Sequence, residues 1–519
     1  NKWLAKYRLC SRMRKCFYSE PPRLQDKNEL GLFAPLQFNP ILLSNTAAHT
    51  KVKRTVLRIT SNQLVQNCEG ASRREFLRIG ALGLGGLTLP RMLALAGENT
   101  SVVRDKAVVV LNLQGGPSQV ETFDPKMTAP REYRAMFGEV KTTLPGITFG
   151  AQFPMLAKLA HKMAVVRSYR HGIGSHGPAA LHVAAGGNPT GACMASLYAR
   201  VAGITNPKTG IPNNTIVIPA AAGSEYKDLS AVPQRVTDTG SLPPAYKAFD
   251  PSKGSTLLDD MKLNLPSGRF DNRRELLQQF DKLRRNVDTQ IQNVSTFEQQ
   301  AINIVLRGMS TAFDLSKEDS RTIERYDTGQ IKPSASVQKR NSYAKQFSPV
   351  ALGKQMLMAR RLVEAGCGFV TVTCTGWDMH GGGKEYTITD GMPVQAPAVD
   401  RAASAFIEDL IQRGLYDKVL LVITGEFGRT PKINNKGGRD HWGNLCTLAF
   451  AGGGLKMGQV VGASNKTVSE PARDQVTSNQ LLGTVMHTLM DIPNLRLRTD
   501  LPGDIQRVIT SSRPIPQLV

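Results

Sequence analysis

The chain has 519 residues, of which 65 are lysine or arginine and 42 are aspartate or glutamate, giving a net charge of +23. This length allows one large domain with insertions or more than one domain of typical size. The sequence has no internal repeat and no low-complexity tract, which argues against a repeat protein. No Cys-x-x-Cys pair occurs, which argues against structural zinc of the ribbon or finger type.

Residues 72–96 have the organisation of a twin-arginine signal peptide. Arg73 and Arg74 precede an apolar, glycine-rich stretch at 79–89, and small residues at 94–96 favour cleavage before Gly97. The apolar stretch is shorter than the roughly 20 residues that span a bilayer, so we expect no transmembrane segment in the mature chain. We expect the twin-arginine machinery to export the protein to the periplasm or the extracellular space.

The segment before this signal, residues 1–71, is basic and lacks clear periodicity, so we assign it no folded role. The chain beyond the signal remains basic. An exported basic protein rarely meets nucleic acid, so we expect an anionic small molecule, an acidic polysaccharide or an anionic envelope surface as the partner, and no nucleic acid. The alternative is a basic surface that serves only solubility.

Apolar runs alternate with helical patterns through residues 97–519, which we interpret as the folded domain. Strands are predicted at 106–113, 163–168, 214–218, 368–373 and 418–423, and helices at 153–161, from 178 onward and at 351–365. The alternation predicts an α/β fold with a mainly parallel sheet and helices on both faces. A charged helical pattern at 271–307 indicates an inserted helical segment at about 256–345.

Carboxylate and imidazole groups follow two of these strands. Asp378 and His380 come after strand 368–373, Glu426 follows strand 418–423, and Asp440 and His441 lie further along the second loop. Open α/β sheets build their sites at the carboxyl ends of parallel strands. We therefore predict that these five residues form a site for a divalent metal: zinc, manganese or iron, or calcium or magnesium through the carboxylates. The alternative is a set of loop caps and salt bridges.

Asp378 and His380 are two residues apart, so in an extended loop both point to one side and can share an ion. Asp440 and His441 would point to opposite sides, so that one ligates while the other orients a ligand.

Two glycine-rich turns follow the first two strands. Gly115, Gly116 and Ser118 could form an anion-binding nest, although a plain structural turn fits the same residues. After the second strand, Ser175 and His176 stand at the start of a predicted helix, where the free amides favour an anion. We predict His176 as a ligand or general acid and Ser175 as a nucleophile; the alternative for Ser175 is an ordinary helix cap.

Two arginines and three cysteines complete the prediction. Arg429 or Arg439 would hold a substrate anion through paired N–H donors, or alternatively would bind carboxylates of neighbouring strands. Cys367, Cys374 and Cys446 lie in or beside strand-like apolar runs, so we expect free buried thiols rather than disulfides.

Together these motifs resemble the family named domain of unknown function 1501, and the twin-arginine leader is similar to leaders of its planctomycete-type members. The motifs that carry the resemblance are Gly-Gly-Pro-Ser at 115–118, Thr-Phe-Asp-Pro-Lys at 122–126, Gly-Trp-Asp-x-His at 376–380, Gly-Glu-Phe-Gly-Arg-Thr-Pro at 425–431 and Gly-Gly-Arg-Asp-His-Trp at 437–442.

That family is in turn similar to the alkaline phosphatase and sulfatase superfamily. The resemblance implies an alkaline phosphatase-like fold, metal ligands in the regions of Asp378, His380, Glu426 and His441, and a nucleophile at the Ser175–His176 turn. The chain departs from the superfamily in offering Asn112 and Gln114 where the first strand usually ends in aspartate, and in lacking a sulfatase signature.

We therefore expect an exported, sulfatase-like, metal-dependent hydrolase of sulfate or phosphate esters, with acidic polysaccharides among its substrates. The alternative is a non-catalytic polyanion-binding or cell-envelope protein on a degenerate alkaline phosphatase-like fold. A different chemistry on the same scaffold is a third possibility.

Overall fold

The structure is a computed structural model that describes residues 102–223, 225–226, 231–252, 310–340, 349–382 and 386–519. The predicted extension at 1–71, the predicted signal at 72–96 and the predicted helix at 271–307 lie outside the described residues. Of the predicted insertion at about 256–345, the structure describes 310–340, which contains three short helices.

A seven-stranded sheet forms the centre of the described chain. Numbered in chain order, its strands are β1 (Ala107–Gln114), β4 (Met163–Val166), β5 (Asn214–Val217), β6 (Phe369–Thr375), β7 (Val419–Thr424), β10 (Leu448–Gly452) and β11 (Gln459–Val461). Their order is β11-β4-β10-β7-β1-β6-β5. Only β10 runs antiparallel to its neighbours, so the prediction of a mainly parallel sheet is confirmed.

Three two-stranded ribbons lie outside the main sheet. They are β2 (Glu139–Lys141) with β3 (Thr148–Gly150), β8 (Gly428–Arg429) with β9 (His441–Trp442), and β12 (Ala463–Ser464) with β13 (Pro471–Arg473).

The α-helices of the described chain are numbered α1 to α13. They are α1 (Pro154–Lys158), α2 (His176–Ala185), α3 (Met194–Ala202), α4 (Pro219–Ala222), α5 (Ala231–Val236), α6 (Ser310–Phe313), α7 (Ser320–Tyr326), α8 (Ala335–Arg340), α9 (Leu352–Glu364), α10 (Ile388–Gln412), α11 (Ser478–Leu489), α12 (Ile492–Leu495) and α13 (Gly503–Ser511). In the described part of the chain, no helix is both long and apolar enough to cross a membrane.

Helices cover both faces of the sheet. Side chains of β1 alternate between the two faces, and every residue of this strand is buried. Val109 and Leu111 pack in a core cluster with α9 and α10. Val108 and Val110 pack in a second cluster with α2, α3, α11 and α13. The prediction of a sheet covered on both sides is confirmed.

The four cysteines of the described chain, Cys193, Cys367, Cys374 and Cys446, are free and buried. They pack as small apolar side chains, as expected for the last three from their strand-like surroundings.

Candidate metal centre

The candidate site lies at the carboxyl edge of the sheet. In register, Gln114 at the end of β1 lies beside Thr375 at the end of β6, and Asn112 of β1 lies beside Thr424 at the end of β7. The loops that leave these three strands therefore start next to one another. They carry the glycine pair at 115–116, the Asp-x-His motif at 378–380 and Glu426.

Close approach between two of these loops requires glycine at position 115. Gly115 has a positive φ of 113°, and a Cβ atom there would lie 2.4 Å from the backbone nitrogen of Asp378. A hydrogen bond of 3.0 Å from the Trp377 amide to the Gln114 carbonyl holds the loops together. The backbone thereby fixes where the Asp378 side chain begins.

Four side chains converge at this edge: His176, Asp378, His380 and His441, called here the His/Asp cluster. Each offers one ligand atom, and these atoms all lie within 4.8 Å of one another. The Asp378 carboxylate lies 2.9 Å from Nε2 of His380, 3.3 Å from Nε2 of His176 and 3.3 Å from Nε2 of His441. All four side chains are 22–32% exposed, so the cluster is open to solvent at one side.

The second ring nitrogen of each histidine has a partner outside the cluster. Nδ1 of His176 lies 2.7 Å from a Glu426 carboxylate oxygen, and Nδ1 of His441 lies 2.9 Å from the Gly174 carbonyl oxygen. Nδ1 of His380 lies 3.4 Å from an Asp440 carboxylate oxygen. Partners of this kind fix the tautomer with the proton on Nδ1 and leave Nε2 as a ligand, which is how metal-binding histidines are usually held.

The donors fit a divalent metal ion. Three imidazole nitrogens and one carboxylate oxygen form a set that zinc, manganese and iron accept in proteins. The prediction of a metal site is therefore supported for Asp378, His380 and His441, with His176 as the fourth member.

The charges in the cluster shift the protonation equilibria strongly. Burial alone would lower the pKa of His176, but the hydrogen bonds and charges of Asp378 and Glu426 outweigh burial and raise that pKa to about 9. Burial would raise the pKa of Asp378, but three histidines and the charge of Arg429 hold it well below its usual value. The hydrogen bond with Asp378 raises the pKa of His380. A cation binding here must therefore compete with protons.

Glu426, predicted as a ligand, lies behind His176 and is not a member of the His/Asp cluster. Its side chain has no exposed surface. The Gly115 amide donates to both carboxylate oxygens, at 2.8 and 3.1 Å. Nδ1 of His176 contacts Oε1 of the same carboxylate at 2.7 Å. The structure thus places Glu426 where it holds the His176 ring, and its role as a ligand stays a prediction.

Asp440, also predicted as a ligand, stands at the solvent side of His380 with 60% of its side chain exposed. The Asn434 side chain donates to Asp440 at 3.1 Å and to the His380 carbonyl at 2.9 Å. Of the neighbouring pair, His441 belongs to the cluster and Asp440 contacts His380. The roles predicted for the pair, one ligand and one residue that orients a ligand, stay predictions.

Arg429 is buried to 1% exposure, and its guanidinium is bound internally. It donates to the carbonyls of Gly116 and Arg439, each at 2.9 Å, and it pairs with Asp378 and the Gly115 carbonyl. Its expected catalytic contact with a substrate anion stays a prediction. The contacts in the structure match the alternative, an arginine that binds a carboxylate of a neighbouring strand end.

Arg439 is equally buried, and its guanidinium is also bound internally. It pairs with Glu121 at 2.9 Å and donates to the carbonyls of Pro431 and Arg134. It too has the structural contacts of the alternative, and its anion-binding role stays a prediction.

The predicted anion nest also has internal partners. The Gly115 amide is taken by Glu426, and a Cβ on Gly116 would lie 2.4 Å from the Phe427 ring. Ser118 is buried and accepts a hydrogen bond of 3.4 Å from the Glu121 amide, as in a turn. The anion-binding role of these three residues therefore remains a prediction.

Ser175 is the exposed residue before α2, and its side chain makes no cap hydrogen bond. The helix begins at His176, two residues earlier than predicted, so His176 is its first residue and Ser175 is its N-cap. The nucleophilic role of Ser175 stays a prediction.

Two residues that the sequence analysis did not single out also contact the site. The Phe427 ring packs against His176 and His441, with ring centroids 4.9 and 4.4 Å apart. Asn434 orients Asp440 and the His380 backbone. The position of Phe427 directly after Glu426 at a strand end was the signal that could have identified it.

A family model for a protein of unknown function, DUF1501, matches residues 105–519. The chain belongs to the DUF1501 family. The resemblance inferred from the strand-end motifs is therefore confirmed. No curated protein matches this DUF1501 chain in sequence.

Solved structures similar to this DUF1501 protein include a phosphonate monoester hydrolase and a sulfatase. They include Ps i-CgsB in complex with k-i-k-neocarrahexaose (10% identity, 79% of this chain and 78% of that chain, TM-score 0.34). Phosphonate monoester hydrolase SpPMH from Silicibacter pomeroyi is 12% identical over 79% of this chain and 77% of its own, with a TM-score of 0.35. PsFucS1 sulfatase from Pseudoalteromonas sp. is 14% identical over 75% of this chain and 72% of its own, with a TM-score of 0.29.

Proposed function

We propose that this protein is an exported, metal-dependent hydrolase of sulfate or phosphate esters. The observation that carries the proposal is the His/Asp cluster, in which three imidazoles point Nε2 toward Asp378 while their Nδ1 atoms are held by partners behind them. Export rests on the twin-arginine pattern at 72–96, which lies outside the described residues.

The cluster itself favours some metals over others. Three imidazole nitrogens suit zinc, manganese or iron, whereas calcium and magnesium prefer shells of oxygen ligands. We therefore propose zinc, manganese or iron as the resident ion. When bound, such an ion withdraws charge from the ester oxygens and so stabilises the charge that develops during hydrolysis.

The protein's own groups supply orientation and charge. Glu426 fixes the His176 ring from behind, and the buried Arg429 holds the Asp378 carboxylate in place. Ser175 stands at the exposed start of α2, where the helix dipole favours developing negative charge. We propose Ser175 as one nucleophile, with water as the other possibility.

A second function is favoured by a different observation. Arg429 and Arg439, expected to hold a substrate anion, are bound inside the protein, and Asn112 and Gln114 at the first strand end bind each other at 2.8 Å. These contacts favour a protein that binds a polyanion through its basic surface without cleaving it.

One experiment separates the two functions. The purified chain, saturated in turn with zinc, manganese or iron, is assayed on 4-nitrophenyl phosphate and 4-nitrophenyl sulfate. Hydrolysis that is lost in Asp378→Asn and His441→Ala supports the hydrolase. A metal-loaded chain that cleaves neither ester but binds dextran sulfate supports the second function. Full turnover in Ser175→Ala would leave water as the nucleophile.

A further inference from the structure

An arginine of α5 packs against the start of α2, on the residue that follows His176. The Arg235 side chain of α5 packs over Gly177, so that a Cβ on this glycine would lie 3.8 Å from Arg235 Nε and 3.9 Å from Cζ. Gly177 directly follows His176 in α2. The guanidinium therefore lies one residue along the helix from a member of the cluster.

The backbone that carries Arg235 is fixed in place. Val236 is buried in a small core cluster with Ile216 and Ile218. The Cys193 amide donates to the Asp238 carbonyl at 2.9 Å, and the Thr237 hydroxyl donates to the Pro233 carbonyl at 2.6 Å. A short helix held in this way presents its side chains at defined positions.

The Arg235 guanidinium itself is half-buried, and no described residue forms a hydrogen bond or an ion pair with it. Arg429 and Arg439 differ in this respect, since carboxylates and carbonyls of the protein bind both of them. An arginine with a planar set of donors is well suited to bind a carboxylate, phosphate or sulfate group.

We propose that Arg235 binds a second anionic group of the substrate, separate from the ester at the His/Asp cluster. Successive residues of an α-helix are rotated by about 100°, so Gly177 faces a different direction from His176. Arg235, packed on Gly177, thus lies beside the cluster rather than within it. The substrate is then an ester that carries a further negative charge, as a sulfated or phosphorylated acidic sugar does. This inference rests on the proposed hydrolase function.

The test compares two probes that differ by one charge, phenyl phosphate and 3-carboxyphenyl phosphate, on the full metal-loaded chain. Arg235→Ala lowers the ratio of kcat/KM for the carboxylated probe over the plain probe about tenfold, mainly through KM, because a charge-assisted hydrogen bond is lost at a partly exposed site. Arg235→Lys keeps the charge without the fork of donors and lowers the ratio less. Arg507→Ala, at an exposed position of α13, is the control and leaves the ratio unchanged.

Two results would overturn the proposal. An equal loss on both probes means that Arg235 contacts the ester itself, and an unchanged ratio in Arg235→Ala means that it binds neither group. If the native chain holds metal but hydrolyses neither these two phosphate probes nor 4-nitrophenyl sulfate, the hydrolase proposal fails instead. Calorimetric titration of both probes into native and Arg235→Ala protein then still tests Arg235: tighter binding of the carboxylated probe that disappears in the variant supports it, and identical titrations refute it.

Discussion

Glu426→Gln tests whether a residue behind the ligands controls metal binding. Glu426 has no exposed side-chain surface, and its carboxylate accepts hydrogen bonds from His176 Nδ1 at 2.7 Å and from the Gly115 amide at 2.8 and 3.1 Å. Glutamine keeps the volume but has one acceptor oxygen in place of two, and it lacks the charge. One of the two partners then faces an NH2 group or loses its hydrogen bond.

The expected loss follows from the role of such partners. Removal of an outer partner of a metal-binding histidine weakens metal binding about 10- to 100-fold, which is about 1.4 to 2.7 kcal/mol. Competition with a chromophoric chelator measures the zinc dissociation constant of native and variant chains. Glu408→Gln is the matched control, because it removes the same charge on α10 about 30 Å along the helix from Ile388.

Native affinity in Glu426→Gln, within a factor of two, would refute this reasoning. It would mean that the contact between Glu426 and His176 does not orient a ligand. A tenfold loss in Glu408→Gln as well would show that only net charge matters.

Three further outcomes are expected. Arg429→Ala leaves Asp378 and several carbonyls without their buried partner, so the free energy of unfolding in urea should fall by about 3–5 kcal/mol. A loss below about 1 kcal/mol would contradict the stabilising role of this buried network. In metal-free protein the pKa of His176 is raised from 6.5 to about 9. Protonated His176 therefore stabilises the fold fully below pH 6.5, and this stabilisation is lost as the pH rises through 9. The melting temperature of the native chain should fall over this range more than that of His176→Gln, and an equal fall in the variant contradicts the assignment. Burial raises the pKa of Cys446 to about 12, so peptide mapping after iodoacetamide treatment at pH 8 finds this thiol unmodified in the native chain, and rapid alkylation would show that it is accessible.

The sequence predicted the strands of the site well, because buried parallel strands are short, apolar and β-branched. The runs at 106–113, 214–218, 368–373 and 418–423 correspond to β1, β5, β6 and β7 within two residues at each end. No strand was predicted at the position of β10, and its antiparallel direction could not have been predicted, since an apolar run does not encode the direction of a strand. The 25-residue helix α10 was missed as well, because Pro393 and Pro397 lie inside it and proline normally ends a helix.

The roles of single site residues were harder to predict than their location. Asp378, His380 and His441 meet in space as expected from strand ends that share one edge. The Gly115 amide and the His176 ring hold the buried Glu426 carboxylate behind the cluster, and no local sequence pattern encodes these long-range contacts. Arg429 likewise turns inward because carbonyls from distant segments surround it, a contact set that no local pattern encodes.

The most direct test of the metal centre is the metal content of the purified full chain by inductively coupled plasma mass spectrometry, before and after Asp378→Asn. Asp378 lies within 3.3 Å of all three cluster imidazoles, so its carboxylate is the shared element of the site. We predict about one zinc, manganese or iron ion per native chain and a loss of most of it in the variant. A native chain that retains no stoichiometric metal after incubation with each ion, or a variant that retains it fully, would contradict a metal centre at the His/Asp cluster.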